Sequence, residues 1–246
     1  MMNDYNLSVI LPVYNEEANI HGVIEQVRHF LICNPMLSNY EIIVVNDGSS
    51  DYTSRVLCEL SNNIPFLRII THAQNSGYGR ALISGVNTAR YSLLLFLDAD
   101  GQFQIDEAGT MLKHINICDI IVGYRYKRID KFHRIILGKF ITLLVCFLFG
   151  LEIKDINCGF KLFRREVLVG NRYKCRGAIF YSEVLLTAKR NGLRIKEIPV
   201  RHFPRLKGKE KGATFTVLLQ GTIDLLKLLK MTYWPSIEDA GTVKSW

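Results

Sequence analysis

Two carboxylates and an amide follow one apolar run: Asp98 and Asp100 come directly after residues 93–97, with Gln102 two positions further on. An unbroken apolar run of this length is typical of a strand buried on both faces of a parallel sheet. Side chains two positions apart on an extended chain point the same way, so both carboxylates can face one ligand. Oxygen donors of this kind suit Mg2+ or Mn2+. The sequence therefore predicts a metal site at Asp98, Asp100 and Gln102, although a lone Asp-x-Asp is also common in solvated turns.

The composition is that of a globular and basic chain. Its 246 residues are 48% hydrophobic and 22% charged, which fits one large α/β domain or two small ones. The formal net charge of +8 indicates an anionic partner, such as nucleotide phosphates, nucleic acid or an acidic membrane surface. Six scattered cysteines without a Cys-x-x-Cys pair, and an N-terminus without a secretory pattern, favour a reduced cytoplasmic protein.

The first hundred residues alternate apolar runs with segments of helical periodicity. Strands are predicted at residues 7–13, 41–45, 66–71 and 93–97. Their order with the intervening helices is typical of a parallel α/β sheet with right-handed crossovers. Polar turns follow these strands, at residues 14–16, 46–50, 75–80 and 98–102. Because ligands bind beyond the carboxyl ends of parallel strands, we expect one cleft to gather these turns.

Two shorter predictions concern the ends of helices and the second half of the chain. Asn15 is expected to cap the first helix, with Glu16 in its first turn.

Basic residues between 125 and 139 precede an apolar stretch at 140–149 that is too short to cross a bilayer as a straight helix. This pattern favours a helix near residues 131–150 in the membrane interface; an ordinary buried helix is the alternative, and both stay open.

Several motifs in a fixed order carry a family resemblance. They are Val9-Ile-Leu-Pro-Val-Tyr-Asn-Glu-Glu17, Val44-Val-Asn-Asp-Gly-Ser-Ser-Asp51, Asn75-Ser-Gly-Tyr-Gly-Arg80, Asp98-Ala-Asp-Gly-Gln102 and Val122-Gly-Tyr-Arg125. Together they resemble glycosyltransferase family 2, which implies the GT-A nucleotide-sugar fold. The downstream segments Asn157-Cys-Gly-Phe-Lys-Leu-Phe163, Glu197-Ile-Pro-Val and Arg205-x-x-Gly208 look more narrowly like the dolichyl- or polyprenyl-phosphate hexosyltransferase branch.

The resemblance implies roles for individual residues. Nucleotide-sugar binding would involve Pro12, Tyr14, Glu16, Asp47, Gly77, Gly79, Arg80 and Asp98. Asp98, Asp100 and Gln102 would hold Mg2+ or Mn2+ on the departing diphosphate. A polyprenyl phosphate acceptor is already an anion near neutral pH, so it needs cations rather than a base. Arg125, Arg134 and Arg205 are expected to bind that acceptor phosphate, and Asp98, Asp100 and Arg125 to be the catalytic residues.

The implied organisation is a single catalytic domain over residues 1–246. Residues of about 7–124 would bind the nucleotide sugar, about 125–212 the acceptor, and 213–246 would form a C-terminal helix and tail. The enzyme is expected to be an inverting hexosyltransferase that associates peripherally with the cytoplasmic face of a membrane, or relies on a membrane partner subunit. No nucleic acid partner is expected, because no recognised nucleic-acid motif accompanies the positive charge.

Two other enzyme classes share some of these sequence features. Transfer to a sugar hydroxyl, in polysaccharide or glycolipid synthesis, needs a general base, for which Glu183 is the candidate. A dinucleotide-dependent oxidoreductase is disfavoured, because Gly77-Tyr-Gly79 is followed by Leu82 where the dinucleotide motif requires glycine. That motif also follows the third strand rather than the first.

Overall fold

The computed structural model of the chain describes residues 4–177, 179–205, 207–208 and 215–234. The side chains of residues 133 and 215–218 are not described. The sequence predicts a basic loop at residues 201–211; Lys209 and Lys211 of this loop, and the tail from residue 235, lie outside the described residues.

A seven-stranded sheet organises the described part of the chain. Its strands are β1 (Tyr5–Val13), β2 (Leu37–Asn46), β3 (Leu67–Thr71), β4 (Leu93–Phe96), β5 (Ile120–Tyr126), β6 (Lys161–Arg164) and β7 (Ile195–Arg201). The spatial order is β3-β2-β1-β4-β6-β5-β7. Neighbouring strands are parallel except at β6, which runs antiparallel to both β4 and β5. The mostly parallel α/β sheet expected from the sequence is therefore confirmed.

Helices cover both faces of this sheet. They are α1 (Ile20–Cys33), α2 (Thr53–Ser61), α3 (Tyr78–Thr88), α4 (Ala108–Leu112), α5 (Phe132–Phe149), α6 (Arg165–Leu168), α7 (Phe180–Arg190) and α8 (Phe215–Tyr233). The sequence predicts one polar helix at about residues 105–115; the structure instead has a 3-10 turn, Ile105–Glu107, followed by the short α4. The one-turn helix α6 had no counterpart in the sequence prediction.

Alternate residues of β1 belong to different halves of the core. Val9 and Leu11 share a buried cluster with α1 and α2, whereas Ile10 shares one with α3 and α7. All three side chains are fully buried. Each such aliphatic side chain stabilises the fold by roughly 1.5–3 kcal/mol. The continuous apolar runs in the sequence thus reflect a sheet with two covered faces.

The strand register brings the functional turns to one edge. Val13 is paired with Asn46 and Ile10 with Phe96, so the turns after β1, β2 and β4 leave the sheet side by side. Because β6 is reversed, its first residue Lys161 is paired with Phe96 near the end of β4. Residues 156–160, which precede β6, therefore arrive at the same edge.

Helix α5 has apolar residues on two faces. Val145 and Phe149 are buried in the core. The opposite face is exposed and carries Phe132, Ile136, Phe140, Leu143 and Phe147. One face of the helix thus belongs to the core, and the other is an uncovered apolar surface. The sequence pattern therefore fitted both a buried helix and an interfacial one. Among the described helices, none combines the length and apolar content needed to cross a bilayer.

Candidate active site

Asp98 and Asp100, here called the acidic corner, lie where β4 ends. The Tyr78 hydroxyl donates to Asp98 Oδ1 at 2.7 Å and lies 2.8 Å from the Tyr181 hydroxyl. The backbone of Gly159 packs against the same carboxylate, and a Cβ at this glycine would be 2.0 Å from Asp98 Oδ2. The orientation of Asp98 is therefore set by a tyrosine on one side and by bare backbone on the other.

Lys161 is a fully buried cation beneath the acidic corner. Its Nζ donates to the carbonyls of Ile156, at 2.9 Å, and of Cys158, and it lies 3.6 Å from the centroid of the Tyr181 ring. Burial lowers the pKa of Lys161 to about 8, although the charges of nearby acidic groups oppose this shift. The ammonium group fixes the turn that carries Gly159, and its charge favours the ionised form of Asp98.

Burial raises the pKa values of both carboxylates. Burial is the main cause for Asp98. Burial, followed by the charge of Asp98, raises the pKa of Asp100 to about 7, while the backbone N–H of Gln102 and the charge of Arg205 oppose this shift. Such a pair is stabilised by a cation placed between the oxygens.

The predicted third ligand, Gln102, lies near this corner, and two of its N–H groups already donate hydrogen bonds within the protein. Its backbone N–H donates to Asp100 Oδ1 at 3.1 Å, and its side-chain Nε2 donates to the Phe203 carbonyl at 3.1 Å. The amide oxygen is the atom that a cation would use. Among the described residues, no three His, Cys, Asp or Glu side chains converge on one point. The two carboxylates and the amide oxygen are nevertheless hard oxygen donors, the kind of ligand that fits Mg2+ or Mn2+.

The predicted glycine turn, residues 75–80, ends earlier than expected, because residues 78–80 are already the first turn of α3. Asp47 binds the part that precedes the helix. The Asp47 carboxylate accepts hydrogen bonds from the backbone N–H groups of Ser76 and Gly77, each at 2.9 Å, and lies 2.6 Å from His72 Nδ1. Asp47 thus links the end of β2 to the turn. Its predicted contact with the nucleoside stays a prediction, and the carboxylate has a second, positioning role that the sequence did not indicate. Arg80, at the end of the turn, is exposed.

Glu16 is paired with Arg205 across the cleft. Arg205 Nη2 donates to both Glu16 oxygens at 2.5 Å, and its Nη1 lies 3.7 Å from Asp100 Oδ2. Asn19 Nδ2 also donates to Glu16, at 2.8 Å. The helix-cap prediction for Asn15 is wrong: α1 begins at Ile20, and Asn15 has a left-handed backbone with φ of 53°. That bend places Glu16 ahead of the helix, where it can reach Arg205.

Arg125 and Arg134 are also bound to carboxylates. Arg125 forms a two-pronged pair with Asp155, with Nε at 2.6 Å and Nη2 at 2.8 Å from its oxygens. Arg134 Nη1 lies 3.5 Å from Asp130. Burial opposes the charge of Arg125, but the Asp155 hydrogen bonds and charge prevail, so the pKa of Arg125 is raised. The charge of Arg125 also acts on Asp98, where it opposes the rise in pKa that burial causes.

The nearby residues Pro12 and Tyr14 lie where β1 leaves the sheet. Pro12 is buried within β1, whereas the Tyr14 side chain is partly exposed at the edge. Their predicted contacts with a nucleoside stay predictions.

Glu183 is the candidate general base if the acceptor is a sugar hydroxyl. Its carboxylate is hydrogen-bonded to the protein backbone. Its carboxylate is buried and accepts hydrogen bonds from the N–H groups of Lys174, at 2.9 and 3.0 Å, and Cys175, at 2.8 Å. A carboxylate that fixes a loop in this way is poorly placed to remove a proton from a substrate. The structure therefore gives Glu183 a scaffolding role.

Sequence reasoning missed several residues that shape this site. Tyr78 was visible inside the Gly-Tyr-Gly motif, and Lys161 inside the Asn-Cys-Gly-Phe-Lys motif, but neither had been assigned a role. Asp155 lies just before that second motif and forms the bond that orients Arg125. Tyr181 lies in a helix of ordinary periodicity, and nothing in its sequence context distinguishes it.

The fold and the site define a glycosyltransferase of the GT-A class. Residues 8–170 match the model of Glycosyl transferase family 2, and the chain belongs to this family. The family expected from the motifs is thus confirmed, and with it the assignment as a sugar-transferring enzyme.

Curated relatives act on lipid phosphates by name. A dolichyl-phosphate beta-glucosyltransferase of Trichomonas vaginalis is 32% identical over 240 residues, covering 90% of this chain and 72% of that protein. Two further transferases of that name from the same organism are covered over 64% and 62% of their length. A polyprenol monophosphomannose synthase of Mycolicibacterium smegmatis is 29% identical over 216 residues, covering 82% of this chain and 79% of that protein.

Solved structures show the same fold. Glucosyl-3-phosphoglycerate synthase of Mycobacterium tuberculosis, crystallised with Mn2+, uridine diphosphate and phosphoglyceric acid, superposes with a TM-score of 0.70. The match covers 92% of this chain and 78% of that one at 18% identity. At this identity the likeness establishes the fold alone.

Proposed function

We propose that the protein transfers a hexose from a UDP- or GDP-linked sugar to a polyprenyl or dolichyl phosphate, with inversion at the anomeric carbon. The observation that carries this proposal is the pairing of an acidic corner with nearby arginines. Arg205 contacts Asp100, and the charge of Arg125 acts on Asp98. A cation site for the leaving diphosphate and guanidinium groups for an anionic acceptor thus adjoin each other. The names of the curated relatives agree with such an acceptor.

The acceptor side needs no proton transfer. A polyprenyl monophosphate is largely ionised at neutral pH and can attack the anomeric carbon directly. Arg125 keeps three guanidinium N–H groups that Asp155 does not take, which can bind the attacking phosphate. One direct displacement inverts the anomeric configuration. We assign the donor side to residues of about 7–124 and the acceptor side to residues of about 125–212.

The donor side has to stabilise a departing nucleoside diphosphate. Asp98, Asp100 and Gln102 would hold a divalent cation, which supplies electrostatic stabilisation of the charge that develops on the diphosphate. Tyr78 and Lys161 orient Asp98 for this task and favour its ionised form against the effect of burial, which raises its pKa. Arg80 is exposed at the end of the glycine turn and can reach the same phosphates.

We infer a peripheral association with the cytoplasmic face of a membrane. The exposed apolar face of α5 runs over five residues spaced three or four apart, so it is one continuous stripe. Lys131 and Lys139 are exposed on the same helix region, which suits anionic lipid head groups. The membrane partner subunit expected from the sequence has no support among the relatives.

The test is a transfer assay with matched acceptors. Purified full-length protein receives UDP-glucose, UDP-GlcNAc or GDP-mannose with Mn2+, and either polyprenyl phosphate or the corresponding polyprenol. We expect a lipid-linked sugar from one donor with the phosphate only, and its anomeric configuration, read by NMR, opposite to that of the donor. Transfer to the polyprenol, or to saccharide hydroxyls instead, contradicts the proposed acceptor.

Replacement of Glu183 separates the two acceptor chemistries. Glu183→Gln keeps an oxygen that can accept the loop N–H groups, so we expect transfer to polyprenyl phosphate within about tenfold of the wild type. The measurement is kcat with saturating donor, alongside a thermal melt. A loss of several orders of magnitude with an unchanged melt would show that Glu183 is a general base and that the phosphate mechanism is wrong.

Cation binding should depend on pH through the acidic corner. Because the pKa of Asp100 is raised to about 7, a proton competes with the cation below neutral pH, and affinity rises as the carboxylate ionises. We expect Mn2+ to bind about tenfold more tightly at pH 8 than at pH 6, as measured by electron paramagnetic resonance of free Mn2+. Asp100→Asn should bind weakly with a much flatter profile. A flat profile for the wild type would exclude Asp100 as a ligand.

A further inference from the structure

We propose that Asp224, on α8, is a positioning residue for the donor diphosphate. It binds the second half of the loop of residues 174–177, whose first half is bound by Glu183, and the glycine turn is built against that loop. The inference rests on the proposed function in one respect, namely that the glycine turn contacts the donor diphosphate. It adds a residue far along the chain, on the C-terminal helix, to the machinery that shapes the donor site.

Asp224 is a fully buried carboxylate with specific partners. Its Oδ2 accepts hydrogen bonds from the backbone N–H of Arg176 at 3.0 Å and of Gly177 at 2.9 Å. Its Oδ1 accepts one from Gln220 Nε2 at 2.9 Å and lies 3.6 Å from Lys227 Nζ. Burying a carboxylate is costly unless it is satisfied in this way, so the group holds the loop firmly.

The loop in turn holds the glycine turn through backbone contacts. The N–H of Gly79 donates to the carbonyl of Arg176 at 2.7 Å. A Cβ at Gly77 would be 2.8 Å from that same carbonyl oxygen, and one at Gly79 would be 2.9 Å from the Cys175 oxygen. The two segments therefore touch with no side chain between them. A displacement of the loop has to move the turn, because there is no flexible group to absorb it.

Two carboxylates thus position the glycine turn from opposite sides. Asp47 binds the N–H groups of Ser76 and Gly77 directly, and Asp224 acts on Gly79 through Arg176. The nucleoside residues predicted after β1 have no part in this arrangement. Replacement of Asp224 should consequently lower the affinity for the diphosphate group and leave the affinity for the nucleoside unchanged.

The experiment compares how tightly wild type and three variants bind nucleoside diphosphates and nucleoside monophosphates. Calorimetry with Mn2+ measures the affinity of wild type, Asp224→Ala, Asp224→Asn and Gln220→Ala for UDP and UMP, and for GDP and GMP. For Asp224→Ala we expect the diphosphate affinity to fall at least tenfold and the monophosphate affinity to change less than threefold. Asp224→Asn retains an oxygen for the two N–H groups and should stay within threefold of wild type for both. Gln220→Ala removes one of the two partners of Oδ1 and leaves the Oδ2 hydrogen bonds in place, so it should behave like wild type.

The outcomes separate this inference from the proposed function. If wild type binds none of the nucleotides, the donor assignment itself fails. If wild type binds and Asp224→Ala loses monophosphate and diphosphate affinity equally, or loses neither, Asp224 is a purely structural residue and the inference is wrong. Should Asp224→Ala not fold, Asp224→Ser, whose hydroxyl is too short to reach both N–H groups, takes its place with the same expected split.

Discussion

Gly159→Ala is expected to lower kcat/KM for sugar transfer at least a hundredfold, which corresponds to about 2.7 kcal/mol of transition-state stabilisation. The added Cβ would lie 2.0 Å from Asp98 Oδ2 and 2.2 Å from its Cγ, so one of the two must move. The backbone is pinned on both sides of this glycine, because Lys161 holds the Cys158 carbonyl and the Gly123 N–H holds the Phe160 carbonyl at 2.9 Å. The Asp98 side chain therefore has to leave its position.

The control for this variant is Gly22→Ala. Gly22 is exposed in α1, and a Cβ there meets nothing within 4 Å, so the substitution should leave activity unchanged and stabilise the helix by about 0.5–1 kcal/mol. Thermal melts and Mn2+ binding of both variants complete the comparison. For Gly159→Ala, we expect the free energy of unfolding to fall by about 1–3 kcal/mol. We also expect the substrate-free variant to lose Mn2+ binding. Wild-type activity in this variant would mean that the placement of Asp98 is not needed for transfer.

Arg125→Ala is expected to destabilise the fold by roughly 3 kcal/mol and to abolish most activity. The guanidinium and the Asp155 carboxylate are both largely buried, with side chains 11% and 15% exposed. Removal of one partner leaves the other charge buried without compensation, which is the costly case for a buried pair. Chemical denaturation of the free protein measures the first effect, and a lipid-phosphate transfer assay measures the second.

The double variant separates the two roles of Arg125. Arg125→Ala combined with Asp155→Ala removes both charges, so we expect much of the stability to return while activity stays low. Recovery of activity together with stability would show that Arg125 acts only as a structural partner of Asp155. A single variant as stable as wild type would mean that water solvates Asp155 adequately.

Local signals in the sequence were sufficient for most of the sheet. The apolar runs at 93–97 and 7–13 identified buried strands because the sheet is covered on both faces. Since parallel strands end at one edge, the gathering of the acidic corner, Asp47 and the glycine turn could also be predicted, and their mutual hydrogen bonds bear this out.

Features that depend on distant pairing could not be predicted in the same way. Lys161 begins a four-residue strand whose sequence says nothing about direction, yet the reversal of β6 is what buries its ammonium group. Asn15 matched the preference for a helix cap, but its side chain accepts a hydrogen bond from the Ser50 N–H at 2.7 Å. A contact with another turn prevailed there over a local preference. Asp224 lies at a position where helical periodicity alone cannot indicate a buried carboxylate.

The reversal of β6 also affects how the enzyme is made. Gly159 and Lys161, which wall and support Asp98, are synthesised about sixty residues after it, and they reach it only when β6 inserts between β4 and β5. A nascent chain that has emerged only as far as β5 would contain Asp98, Asp100 and Tyr78, but Asp98 would lack the contacts that Gly159 and Lys161 provide. We therefore expect the acidic corner to be completed late during translation, after β6 has emerged from the ribosome.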